Sequence, residues 1–235
     1  MSTQYVGVSG LMSRAGVDAC LAALPEGLTL MCGVLASAKS LAGIKNAWHR
    51  RYPAPRDIAD IFSDDPRCLN LIHYSTDKAP TARDVDRLRG IGGERCHGFQ
   101  FNGAWPESQP FSGEHVVLQY RPSVAVPEEF RRSLGGLGNI TPHVLIDGSG
   151  GRGAPLDIGT VALCVGDLVS RYGIGLNIGI AGGLCAETLP AVAPLVREYG
   201  LSIDAEGRLR DGDEGGVLNL DKARAYLAVA GEVMR

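Results

Sequence analysis

Short apolar runs recur along the chain at residues 4–8, 28–35, 68–74, 98–101, 116–120, 143–146, 175–180 and 201–203. Most are bounded by turn residues and apolar on successive positions, as strands buried on both faces are. Segments with helical spacing lie between most of them. Ser13 is placed to cap a helix running to Leu24, and Thr81 one over 82–88. A second helix starts at Pro55, and others read over 127–134 and 156–172. Another covers 186–199 and stops at Gly200; the last, 220–234, is capped by Asn219. Strand and helix alternate through eight units, which predicts parallel strands joined by right-handed crossovers. The fold class expected is α/β, a (β/α)8 barrel formed as one domain by residues 1–235. A doubly wound sheet is the rival, but the glycine fingerprint of dinucleotide binding after the first strand is missing.

Two stretches break the alternation. Residues 36–53 form a long connection carrying Trp48, His49, Arg50 and Arg51. Residues 102–114 have little helical period and carry Trp105 and Phe111. Long connections after barrel strands sit on the catalytic face.

Composition narrows the classes. A chain of 235 residues with 45% hydrophobic residues can bury a large core. The net charge of −3 offers no bulk attraction to nucleic acid or an acidic membrane. The six cysteines are scattered without a CxxC pair, so reduced, mostly buried thiols are expected rather than a metal site or disulfides. No signal peptide and no membrane-spanning run is read, so the expectation is a cytoplasmic protein, monomer or homodimer, with no cofactor.

Candidate chemistry collects at the strand ends. Residues 144–153 read Val-Leu-Ile-Asp-Gly-Ser-Gly-Gly-Arg-Gly: an apolar strand, then the carboxylate of Asp147, then a glycine loop. Backbone amides after a strand-end carboxylate suit acid–base work on an anionic substrate. A barrel would bring Asp147 to one mouth with Ser9, Arg51, His73, Gln100, Asn102, the pair Gly182-Gly183 and Asp204. Bracing roles for Asp147, His73 and Asp204 remain the simpler alternative.

These residues resemble one family. Asp147 followed by Gly150-Gly151-Arg152-Gly153 and Leu156-Asp157 is similar to the sixth-strand motif of phosphoribosylanthranilate isomerases, barrels of tryptophan biosynthesis. Ala181-Gly182-Gly183-Leu184, with Glu187 and Leu189, resembles their seventh-strand phosphate loop. Arg51-Tyr52, with Pro55, Asp57 and Ala59, resembles the segment after strand two. Residues 98–103 (Gly-Phe-Gln-Phe-Asn-Gly) resemble strand four, and 8–11 (Val-Ser-Gly-Leu) strand one. The resemblance implies an Amadori rearrangement of a phosphoribosylated amine, a small phosphorylated sugar-like substrate. Asp147 would be the acid and Ser9 would stand at the base position. Arg51, Gln100, Asn102, His73 and Asp204 would bind substrate, and Gly151, Gly153, Gly182, Gly183 and Gly207 the phosphate.

The chain departs from that pattern at two points. The family's base is a cysteine, and a serine hydroxyl without a partner base is a far weaker proton acceptor than a thiolate. The eighth-strand loop reads Asp204-Ala205-Glu206-Gly207-Arg208, which sets a carboxylate near the phosphate unless Glu206 turns away or pairs with Arg152 or Arg208. Two other functions stay open. One is a lyase or aldolase, for which Lys39 and Lys78 are candidates, although a Schiff-base lysine belongs on an inner strand position. The other is a phosphosugar-binding or regulatory barrel without catalysis.

Overall fold

The computed structural model describes residues 4–44, 49–102, 104–106, 111–122, 128–136, 142–149, 154, 156–173, 176–212 and 216–235. Eight parallel strands close a barrel in chain order. They are β1 (Val6–Ser9), β2 (Leu30–Ser37), β3 (Cys68–Ser75), β4 (Gly98–Asn102), β5 (His115–Tyr120), β6 (His143–Asp147), β7 (Asn177–Ala181) and β8 (Ser202–Ala205). Each falls within two residues of an apolar run read in the sequence, leaving aside position 175, which lies outside the described residues.

Helices follow the strands: α1 (Arg14–Ala23), α2 (Ala38–Leu41), α3 (Ile58–Ile61), α4 (Ala82–Gly92), α5 (Glu128–Gly136), α6 (Ile158–Tyr172), α7 (Leu189–Tyr199) and α8 (Leu220–Val233). Local chemistry sets several ends. The Ser13 hydroxyl accepts the Gly16 amide at α1, and Thr81 with Asp84 forms a capping box at α4. Gly200 closes α7 in a left-handed conformation, and the Asn219 side chain accepts two amides at α8. Two expectations change. The helix at Pro55 is a 3-10 turn (Pro55–Asp57) followed by the single turn α3. The connection read as a loop over 36–53 contains the end of β2 and the short α2, held by a Ser37–Ser40 capping box. Position 127, where the fifth helix was expected to begin, lies outside the described residues.

Alternation along the strands sorts the core into two layers. Outward residues such as Val8, Val34, Ile72, Phe101, Leu118, Ile146, Ile180 and Ile203 pack against the helices. Inward residues Tyr5, Met31, Leu71, Val117, Leu145 and Ala181 form a separate cluster inside the barrel. Only the connection after β4 has no described helix. Aromatic residues cover that side instead: Phe111 packs 5.7 Å from Phe101, Trp105 packs 4.9 Å from Phe130, and the indole donates to the Gln119 carbonyl at 2.7 Å. The floor is also aromatic, with the rings of Tyr5 and His143 4.7 Å apart and His115 beside them. All six cysteines are free thiols, four of them buried. No helix of the described residues is long and apolar enough to cross a membrane.

Candidate functional site

The C-terminal strand ends open on a cleft of about 140 Å³. Asp147 ends β6, Asp204 lies on β8, His73 on β3, and Gln100 and Asn102 on β4; Arg51, Gly182, Gly183 and Gly207 reach the cleft from connections. Ser9 ends β1 just behind the wall and is 1% exposed. Gly151 and Gly153 lie outside the described residues.

Register places the two carboxylates side by side. Asp147 pairs with Ala181, and Ala181 with Asp204. At roughly 4.8 Å per strand, the two aspartate backbones stand about 10 Å apart. Ala181 between them projects only a methyl group, so both carboxyls face the same space. Gly182 then turns the chain out of β7 at φ 102°, where a Cβ would lie 2.9 Å from Asp147 Oδ1. Glycine permits both the backbone conformation and the close approach.

The two carboxyls are held differently. Asp147 accepts from Gln119 Nε2 at 2.7 Å, from the Ser149 amide at 2.8 Å and from the Ser149 hydroxyl at 3.0 Å. Asp204 accepts the Ser9 hydroxyl at 2.7 Å. Burial pushes the Asp204 carboxyl up to about 8; Glu206 and Asp147 add to the rise, and the Ser9 hydrogen bond opposes it. At neutral pH Asp204 therefore carries a proton. Asp147 presents acceptor oxygens to all three of its described donors.

A polar chain crosses the opposite wall. Gln119 Nε2 points at Asp147, so its carbonyl turns to Gln100, whose Nε2 donates to Gln119 Oε1 at 3.1 Å and to Asn102 Oδ1 at 3.0 Å. Gln100 Oε1 is left buried without a partner among the described residues. His73 pairs with Gln100 in the β3–β4 register, and its Nε2 is also buried and unpartnered. Burial pushes the His73 imidazole down to about 3, so it is neutral. A Cβ on Gly33 would meet His73 Nε2 and Ser9 Oγ, each at 2.7 Å, so the bare glycine keeps this corner open.

Glu206 differs from expectation. No pair with Arg208 forms among the described residues, and Arg152 lies outside them. Instead Glu206 Oε1 accepts Arg51 Nη2 and, at 2.9 Å, Arg210 Nη2. Two guanidiniums against one carboxylate leave the cluster positive, which offsets repulsion of an anion at this rim. The cluster also ties the connection after β2 to the one after β8.

Sequence reasoning did not single out Gln119, Ser149 or Arg210. Gln119 had a signal: a polar residue at an inward position near the end of an otherwise apolar strand. Ser149, two residues after a strand-end aspartate, matched a local turn pattern. Arg210 had none, because the antiparallel bridge of Arg210 to Leu218 sets its position. Lys39 and Lys78 are exposed, and no described lysine lines the cleft. Among the described residues no cluster of three or more His, Cys, Asp or Glu could hold a metal ion.

No protein-family model matches this chain, and no curated protein sequence does. Solved structures do. A phosphoribosyl anthranilate isomerase from Thermus thermophilus superposes with a TM-score of 0.67 at 17% identity, over 97% of this chain and 98% of that one. The N-(5'-phosphoribosyl)anthranilate isomerase of Pyrococcus furiosus gives 0.63 at 15% identity, over 97% and 99%. A triosephosphate isomerase from Bartonella henselae gives 0.56 at 11% identity, over 97% and 98%. At these identities the likeness establishes the barrel fold, which unrelated activities share.

Proposed function

We propose that this protein is an aldose–ketose isomerase of a small phosphorylated sugar-like substrate, with the proton chemistry of the phosphoribosylanthranilate type and an altered substrate. The observation that carries the reading is the pair of buried carboxyls flanking Ala181, one taking a hydrogen bond from Ser9, the other accepting from Gln119 and Ser149. Isomerisation needs such a pair: an acid for the sugar oxygen and a base for the neighbouring carbon.

Asp204 is the acid at neutral pH. It protonates the ring oxygen of the closed sugar, the bond from C1 to that oxygen breaks, and C1 becomes electrophilic. Asp147 takes the proton from C2, giving the enol or enolamine. Asp147 returns its proton to C1 while the C2 hydroxyl gives its proton to Asp204, so C2 becomes the ketone and both carboxyls are restored. The resemblance alone put the acid at Asp147; the buried, protonated carboxyl favours Asp204 in that role. Ser9 then positions Asp204 and need not act as a base. The phosphate is assigned to the rim formed by Gly182, Gly183 and Gly207, beside the positive cluster of Arg51, Glu206 and Arg210. Lys39 and Lys78, the lysines considered for the aldolase alternative, are exposed and do not line the cleft, which weighs against them as Schiff-base residues.

The test is proton exchange. Ribose 5-phosphate and phosphoribosylanthranilate are incubated with the protein in D2O and followed by NMR. Loss of the C2 proton signal from either compound is expected, slowed at least about a hundredfold by Asp147→Asn and by Asp204→Asn. Exchange no faster than in buffer, from protein that binds the sugar phosphate, would overturn the isomerase reading in favour of a binding barrel.

A further inference from the structure

We infer that the wall formed by His73 and Gln100 is a hydroxyl-recognition site, and that the substrate is a phosphorylated polyhydroxy chain whose head group is not aromatic. The inference rests on the isomerase reading and narrows its substrate.

Two residues that line the cleft each carry a buried polar atom without a partner among the described residues: Gln100 Oε1, and His73 Nε2 in the corner that Gly33 keeps open. They belong to residues 1% and 2% exposed that are neighbours in the β3–β4 register. Buried polar groups are nearly always hydrogen-bonded, so a pair of orphans on neighbouring residues of one cleft lining points to a ligand. The chemistry of that ligand follows from the atoms. The orientation of Gln100 is set from Asp147 through Gln119, because each amide must donate toward the next acceptor. What Gln100 has left to offer is therefore an acceptor, which requires an O–H or N–H. The neutral His73 imidazole donates or accepts one hydrogen bond and carries no charge for a phosphate. Adjacent hydroxyls of a sugar chain satisfy both.

An aromatic ring seated against this wall would bury both atoms unsatisfied. Sites built to hydrogen-bond a substrate reject analogues lacking the group far more strongly than apolar pockets reject a misfit. The described apolar contribution to the cleft is small: Leu35, Leu145, Ala181 and the Tyr52 ring. Leu145 and Ala181 belong to the barrel floor cluster.

Titration calorimetry tests this with ribitol 5-phosphate, its 2-deoxy and 3-deoxy counterparts, and the analogue bearing an anilino group in place of the C1 hydroxyl. Ribitol 5-phosphate is expected to bind at least tenfold more tightly than the anilino analogue and than at least one deoxy compound. Gln100→Leu and His73→Phe should each weaken it ten- to a hundredfold without changing binding of inorganic phosphate, with folding checked by melting. Equal or tighter binding of the anilino analogue overturns the inference, and so does indifference to both deoxygenations. Binding in the expected order without C2 exchange keeps the inference and overturns the isomerase reading; exchange with a preference for the anilino analogue does the reverse. Failure of every compound to bind overturns both.

Discussion

Replacing Asp204 by asparagine keeps an oxygen for the Ser9 hydroxyl and removes the titration. The Asp204 carboxyl moves from an ordinary value of 3.8 to about 8 on folding. Each unit corresponds to 1.36 kcal/mol, so the shift of about four units is worth roughly 5 kcal/mol between the low and high pH limits. Between pH 4 and 8 the native state holds a proton that the unfolded chain has released. Stability therefore falls as pH rises through this window, by up to about 1.4 kcal/mol per unit, and levels off above the folded value. Below pH 4 both states are protonated and the term is fully present. Urea unfolding of wild type and Asp204→Asn, followed by tryptophan fluorescence from pH 5 to 9, isolates the term, because other titrating groups cancel in the difference. The variant should gain about 4 kcal/mol on wild type from pH 5 to 8, then run parallel to it. Difference curves flat across the whole range would refute the protonated Asp204 and with it the assignment of the acid.

Ser9→Ala removes the hydrogen bond that favours ionised Asp204, so the alkaline limb of the exchange rate should move to higher pH; an unmoved limb would separate Ser9 from Asp204. Gly33→Ala sets a methyl group 2.7 Å from both His73 Nε2 and Ser9 Oγ, and should cost about 1–3 kcal/mol in thermal unfolding and most of the sugar-phosphate affinity, whereas unchanged binding would show that this corner is not used. At the floor, burial pushes His143 down to about 3, and His115 beside it adds to the fall. Native His143 stays neutral while the unfolded chain takes up a proton below about 6.5, so stability present above that pH is lost as it falls. His143→Phe should carry the acid-unfolding midpoint to lower pH, and an unchanged midpoint would place the acid sensitivity elsewhere.

The fold was legible because its signals are local. Apolar runs at strand length, the caps at Ser13, Thr81 and Asn219, and the stop at Gly200 depend on residues a few positions apart, and eight alternations of strand and helix leave few topologies. The polar strand-end residues were legible for the same reason: once the strands are placed, His73, Gln100, Asp147 and Asp204 must reach the same mouth, while Ser9 stops behind its wall against Asp204. The long connections were read less well, since α2 and the 3-10 turn at Pro55 have no periodicity to announce them. What each site residue does was not legible at all. Glu206 finds Arg51 and Arg210 rather than a neighbour on its own turn, and Gln119 sets the orientation of Gln100 across a strand pairing. Which carboxyl keeps its proton depends on the water that the closed barrel excludes from Asp204, and desolvation belongs to the assembled structure, not to any stretch of the chain.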